Sequence, residues 1–304
     1  MGFVNDSLLE YIEQNSEPIG KSIAIEGATL DRVRIMPNVK GSATINLIST
    51  DAAFQAGKGC GFNPNGDVTL SQRVVETAIV KKEFALCDDD LIGTYAEKQV
   101  RVSADGEGVP FEEEIMRDII NGVAEDRELL MWQGDKASSK EELKFIDGYL
   151  KIAKTEASVI DVEIASGTSV YDALKKVKNA IPAKLKRKDV RLSISPELFG
   201  QFIDELVEKN YYHYTGPQDA APQEYTFPGT RYKVVETPGL MGTPYIFAST
   251  DDNLVYATDV ASDEGKNLLV NYDKMKEQTE FKVKFNMGVQ IAIPEFVVLG
   301  TIAQ

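Results

Sequence analysis

Val109-Pro110-Phe111-Glu112-Glu113-Glu114-Ile115 opens, and Arg127-Glu128-Leu129-Leu130-Met131-Trp132-Gln133-Gly134 closes, the stretch of sequence whose reading decides the fold. Pro110 suits a first helical turn, where its missing N–H would have had no partner, and Glu112, Glu113 and Glu114 complement the positive end of a helix. Ile115, Ile119, Val123 and Leu130 keep helical spacing, so the sequence predicts one helix over 110–132. At about 1.5 Å per residue it spans roughly 34 Å, which is long for a domain of this size. Between Asp105 and Glu128 stand nine acidic residues and only two basic ones, Arg117 and Arg127, so the face away from the apolar stripe is negative.

Upstream, Asp88-Asp89-Asp90 offers N-caps for a shorter helix through Leu91, Tyr95 and Ala96 toward Val100. Before it, Val68 to Leu86 alternates as a strand does, with Val74, Thr77, Ile79 and Phe84 among its members. A second alternating region, Ile23 to Ile48, is separated from it by a stretch containing Gly57, Gly59, Gly61 and Gly66 and ending in Asn65-Gly66-Asp67. Two extended runs around a glycine-rich excursion predict a long hairpin. At the start, Asn5-Asp6-Ser7 with Leu8, Leu9, Tyr11 and Ile12 predicts a short amphipathic arm that ends before Pro18.

Downstream, a polar loop from Asp135 to Glu142 leads into Phe145-Ile146-Asp147-Gly148-Tyr149-Leu150. The next part predicts an α/β unit: helix Ser169 to Ala180, strand Val190 to Ile194, and helix Pro196 to Glu208 capped by Ser195. Strands at Tyr232 to Glu236 and Tyr245 to Ala248 follow a Tyr-, Pro- and Gly-rich loop. A pair of strands is expected between Glu280 and Thr301, the second an apolar run broken by Pro294.

The chain has 304 residues with 33 basic against 48 acidic side chains, a net charge of −15. This balance argues against a protein that mainly grips nucleic acid phosphates. Two cysteines and one histidine cannot build a disulfide framework, nor a four-ligand zinc site without carboxylates, and they suit a reducing compartment. No run of eighteen apolar residues occurs, and Met1 to Gly20 carries Asp6, Glu10 and Glu13 where a signal peptide would be basic and then apolar. No membrane association is expected.

No catalytic constellation assembles from the sequence, and no cofactor or metal is expected. Cys60 and Cys87 lack a base, since the one histidine is His213 within Tyr211-Tyr212-His213-Tyr214. Cys87 reads as a small buried hydrophobe on a strand and Cys60 as a loop thiol. Gly57-Lys58-Gly59-Cys60-Gly61-Phe62 has the look of a phosphate cradle, but no Gly-Lys-Ser/Thr follows, and its glycines serve conformation instead. Asp88-Asp89-Asp90 lacks the alternating ligands of a calcium loop and reads as a solvated helix start. Lys175, Lys176, Lys178, Lys184, Lys186, Arg187, Lys188 and Arg191 place eight positive charges in seventeen residues, opposed only by Asp189. The plainer partner for them is solvent or an acidic neighbour such as the Asp105 to Glu128 helix; the sharper one is nucleic acid. The aromatic group Tyr211, Tyr212, Tyr214, Tyr225 and Phe227 suits protein contacts or stacking on sugars.

In order, an arm, a long glycine-containing hairpin, an isolated acidic helix, an α/β unit and a return to strands resemble the major capsid protein of tailed bacteriophages, the Hong Kong 97 fold. Val74 to Leu86 running into Asp88-Asp89-Asp90-Leu91 is similar to that family's descending strand and following helix. Arg127 to Asp135, with Phe145 to Leu150 after it, is similar to the end of its spine helix. Ser195-Pro196-Glu197-Leu198-Phe199 is similar to an axial-domain helix start, and Val289 to Val298 to the C-terminal strand. Cys60-Gly61-Phe62 with Cys87 further resembles capsid proteins of phages infecting gut Bacteroidetes.

The resemblance implies an α+β fold with an arm and first strands over 1–40 and an extended loop over 41–80. A peripheral domain over 81–158, with a spine helix at about 110–132, an axial domain over 159–260 and return strands over 261–304 complete it. It implies a structural protein, not an enzyme, whose pentamers and hexamers close an icosahedral shell around double-stranded DNA held non-specifically. The virion is then its location, after assembly in the host bacterial cytoplasm, with a portal protein as a partner and a separate scaffold or decoration protein as a further one. Intersubunit contacts are expected at the extended loop (Gly57, Lys58, Gly59, Cys60, Gly61, Phe62, Asn65, Gly66 and Asp67) and at the axial loop (Tyr211, Tyr212, His213, Tyr214, Tyr225 and Phe227). Charged patches are expected at Lys184, Lys186, Arg187 and Lys188 and at Glu112, Glu113 and Glu114. Two other readings stay open: an encapsulin-like nanocompartment shell, and a soluble α/β enzyme or binding module.

Overall fold

The computed structural model of the chain describes residues 27–52, 54, 66–87, 111–211, 224–259 and 268–303. The expected arm, the stretch Gly57 to Asn65, the helix start at Asp88 and the loop residues Tyr212, His213 and Tyr214 lie outside the described residues.

In chain order come β1 (Arg34–Met36), β2 (Ser42–Ala52), β3 (Gly66–Glu76), β4 (Ala78–Cys87), α1 (Phe111–Gln133), α2 (Tyr149–Thr155), β5 (Ile160–Ile164), α3 (Val170–Ala180), β6 (Arg191–Ile194) and α4 (Pro196–Glu208). Then follow β7 (Glu224–Thr226), β8 (Lys233–Glu236), β9 (Tyr245–Ser249), β10 (Leu254–Thr258), β11 (Leu268–Asp273), β12 (Gln278–Ile291) and β13 (Val298–Ile302). The strands form three sheets. In the five-stranded sheet, β12 carries β11 along its first half and β10 along its second on one edge, with β4 on the other edge and β1 beyond β10. The six-stranded sheet has the order β5-β13-β9-β6-β8-β7. The third is the hairpin β2–β3, paired from Ser42 opposite Glu76 to Ala52 opposite Gly66.

Alternation along β9 and β13 explains why the body holds together. Ile246, Ala248 and Val298 point into one core, beneath α3 and α4, while Phe247 and Leu299 point into a second, shared with α1, α2 and the five-stranded sheet. The six-stranded sheet is thus the wall between two cores. Trp132, at the end of α1, meets Tyr149 and Phe247 edge-on at 5.3 and 5.2 Å. Ser169 and Ser195 cap α3 and α4, accepting from the backbone N–H of Asp172 and Leu198 at 3.2 and 3.3 Å. The glycines that flank the loop after α1 permit a close backbone approach: a Cβ on Gly134 would stand 2.5 Å from the Leu130 carbonyl and 2.6 Å from that of Ile146.

The two strands expected between Glu280 and Thr301 are β12 and β13, and the Pro294 turn between them carries the chain out of one sheet and into the other. One sequence expectation needs correction here. Cys87, expected as a buried hydrophobe, is an exposed free thiol, because it ends β4 with its side chain on the face away from α1.

Candidate functional site

The β2–β3 hairpin leaves the body as a direct continuation of β4 across Thr77, whose N–H donates to the Gly41 carbonyl at 2.7 Å while the Gly41 N–H donates to the Thr77 hydroxyl at 3.0 Å. Its inner face roots it. Ile45 packs on Val255 and Ala292, and Val75 on Val39 and Ala257. Arg73 pairs with Glu156, and the Gln290 amide donates to the Val74 carbonyl at 2.8 Å. Among the described residues the outer face has no such cover. Leu70 is 73% exposed and Ile48, directly opposite it, 71%, with Val68 and Val74 on the same face and also exposed. Gly66 and Asp67 begin β3; of the other expected loop contacts, Gly57, Lys58, Gly59, Cys60, Gly61, Phe62 and Asn65 lie outside the described residues. The apolar outer face was legible only as alternation, because a sequence does not say which side of a strand is left uncovered.

A second exposed region surrounds the stump of the axial loop. Tyr211 is 51% exposed, and its carbonyl accepts from the Tyr225 hydroxyl at 3.2 Å, which ties the two loop ends together. Phe227, expected as a contact residue, is instead a core side chain. It is 2% exposed and stacks on Tyr171 and Phe202 at 5.2 and 6.1 Å, since its ring fills the space between α3 and α4. Tyr225 meets Phe202 edge-on at 6.2 Å and is half-buried.

Lys184, Lys186, Arg187 and Lys188 are all exposed in the turn after α3. Among the described residues none of them makes an ion pair, and no ion pair joins them to α1. Glu112, Glu113 and Glu114 stand in the first turn of α1, where only the backbone is described. Between α1 and β4 runs an apolar cleft of about 330 Å³ lined by Val80, Val123, Leu130, Phe145, Phe285 and Met287, and bridged at one end by Lys82, whose ammonium reaches Asp126 at 2.7 Å.

One perturbed carboxyl in the body is structural. Glu128 is buried on α1, receives the backbone N–H of Thr29 at 3.3 Å and the Thr29 hydroxyl, and burial lifts its acid range above that of an ordinary glutamate. Trp132 completes the cluster by donating to the Thr29 hydroxyl at 2.9 Å. Among the described residues no group of three or more His, Cys, Asp and Glu is placed to hold a metal ion, and no helix is long and apolar enough to cross a membrane.

No family model matches the sequence, and no curated protein matches it either. Solved structures do. The fold covers 98% of this chain and 91% of a subunit from the satellite phage P4 procapsid that includes the size determination protein, with a TM-score of 0.63 at 13% identity. It covers 93% of this chain and 91% of a capsid subunit of the native GTA particle, with a TM-score of 0.56 at 12% identity. A virus-like particle from Pyrococcus furiosus shares 94% of this chain and 97% of its own, with a TM-score of 0.53 at 12% identity. The chain therefore has the α+β architecture of the Hong Kong 97-type capsid fold.

Proposed function

We propose that the protein is a major capsid protein whose copies form pentamers and hexamers of an icosahedral shell enclosing double-stranded DNA. The observation that carries this reading is the projecting hairpin. The inner face of this hairpin is held by the body, while the exposed apolar residues of its outer face gain stability only from a further surface, and a second subunit supplies one. In this reading residues 1–40 form the arm and first strands, 41–80 the extended loop, 81–158 the peripheral domain, 159–260 the axial domain and 261–304 the return strands. The contacts are mechanical, not catalytic, made by the extended loop and by Tyr211 at the axial loop. A portal protein and a separate scaffold or decoration protein are the further partners, the shell assembles in a bacterial cytoplasm, and its place is the virion. A phage of gut Bacteroidetes is the source that Cys60-Gly61-Phe62 and Cys87 suggest.

Sedimentation and negative-stain microscopy of the purified protein test this. Capsomers or megadalton particles are expected; a single species at the 33.5 kDa chain mass overturns the reading. The likeness to a virus-like particle supports a second reading, a nanocompartment that holds protein cargo. Nuclease-protected DNA inside purified particles decides for the genome container, and its consistent absence beside a co-purifying protein cargo decides for the compartment.

A further inference from the structure

The helical layer on the six-stranded sheet carries opposite exposed charges on its two helices and the turn that follows the first. Helix α3 lies over the β5, β13 and β9 half of the sheet, and α4 over β8 near the other edge. From α3 and the turn behind it, Lys175, Lys176, Lys184, Lys186, Arg187 and Lys188 stand exposed without an ion pair among the described residues. On α4, Asp204 and Glu208 are exposed and equally without an ion pair, with Val207 between them 57% exposed; just past the helix end, Tyr211 is 51% exposed and tilts against Tyr171 of α3 at 6.3 Å.

Positions 204, 207 and 208 recur at helical spacing and share one face, apolar in part and acidic in part, and Asn210, at a φ of 54°, turns the chain out of the helix before Tyr211. Its charge is poorly placed for an isolated helix. Two like charges sit four residues apart in the last turns, where the helix end is negative, and the one basic group at that end, the C-cap Lys209, is turned to Glu205 at 3.6 Å. The two helices are also held in fixed relation. Glu205 of α4 receives the Val170 and Tyr171 backbone N–H groups at 2.8 and 3.0 Å, capping the start of α3. The separation between the basic and acidic flanks is therefore built in before any partner arrives.

A rigid unit with complementary flanks is suited to heterologous, head-to-tail contact, which closes into a ring when repeated by rotation. We propose that the partner of the basic α3 flank is a second copy of this chain, through the Asp204, Val207 and Glu208 face of its α4. This rests on the shell reading and adds to it which faces meet around a capsomer. The overall charge of −15 agrees with it, since copies that repel one another at long range need a local contact of opposite signs to pack side by side.

Charge exchange tests the pairing. Three variants are compared with the unmodified protein: Lys175→Glu with Lys176→Glu, Lys184→Glu and Lys186→Glu; Asp204→Lys with Glu208→Lys; and the two sets combined. Assembly is followed by sedimentation, folding by circular dichroism and retention by duplex DNA at 0.15 M salt. Each set alone is expected to weaken ring and shell formation about tenfold or more, and the combined variant to recover most of it, all four chains being folded. Normal assembly by both single sets, or a combined variant no better than the basic reversal, overturns the proposal. So does rescue by Asp118→Lys with Glu125→Lys on α1 in place of the α4 set. DNA retention that the basic reversal abolishes and the combination does not restore, with assembly intact, assigns the flank to nucleic acid and also overturns it. If the unmodified chain forms no ring or shell, the shell reading itself falls; if it assembles and the exchanges leave it indifferent, only the pairing of these flanks does.

Discussion

The carboxyl of Glu128 faces a hydroxyl and an N–H from Thr29, the guanidinium of its neighbour Arg127, and the buried phenols of Tyr149 and Tyr256 around the same cluster. Burial is the largest influence and disfavours the ionised form, so the folded chain holds the proton more tightly than the unfolded chain does. A carboxyl raised in this way contributes stability that is fully present below its unfolded range and is lost as the pH climbs through its folded range. The subunit is therefore expected to lose stability from this group as the pH rises from mildly acidic toward neutral. Glu128→Gln keeps an acceptor for one of the two Thr29 donors and removes the charge, so urea midpoints of that variant should change less between pH 5 and 8 than those of the original. Parallel pH profiles for the two chains would show that Glu128 stays ionised in the fold at no cost.

At the level of elements, the hairpin divides into a rooted inner face and a free outer one, and the two respond differently to mutation. Ile48→Ser with Leu70→Ser removes apolar area that the isolated subunit leaves in water, so subunit stability should change by no more than about 0.5 kcal/mol. Val75→Ala, on the fully covered inner face, should lower it by about 1–3 kcal/mol. Thermal melts separate the two, and sedimentation should show shells failing in the outer-face variant although its subunit is sound. Elements with a capped start and a long apolar stripe were legible in the sequence: the helix expected over 110–132 is Phe111–Gln133, and Pro196 to Glu208 is observed with both bounds as expected. β10 was not legible, because all five of its residues are buried, and a strand covered on both faces shows no alternation. α2, at seven residues, is too short to display a period. Of the candidate surfaces, the basic turn and the hairpin could be read from composition. The α4 face could not, since Asp204 and Glu208 look like any solvated helix surface until the core contacts of the same helix show which side is left over.

For the molecule as a whole, beyond the long path from β4 through α1 and α2 to β5, the chain crosses between the two sheets by two short passages, first from β9 to β10 and then from β12 to β13. One side chain joins these passages. The Asn253 amide nitrogen donates to the Ser249 hydroxyl at 3.1 Å and to the Ile293 carbonyl at 2.9 Å, and its amide oxygen accepts the Ile293 N–H at 2.6 Å. Beside it, Arg191 of the six-stranded sheet reaches Asp251 in the first passage at 3.0 Å. The two cores share a wall, so their unfolding is coupled through packing, and Asn253 adds a polar tie at the place where the backbone itself must cross. Replacing it with Ala leaves the Ile293 N–H without its acceptor, while the Ile293 carbonyl keeps the Phe296 N–H at 3.1 Å, a loss of about 1–3 kcal/mol. Asn253→Asp should fall between, because a carboxylate still accepts the Ile293 N–H but cannot donate to the carbonyl. Calorimetry of the unassembled subunit distinguishes local from global damage. If the tie couples the cores, the Ala variant should unfold over a broader range, with a van't Hoff enthalpy below the calorimetric one. A transition that moves to lower temperature while staying equally sharp would mean that the shared wall of β9 and β13 couples the cores without help from the crossing.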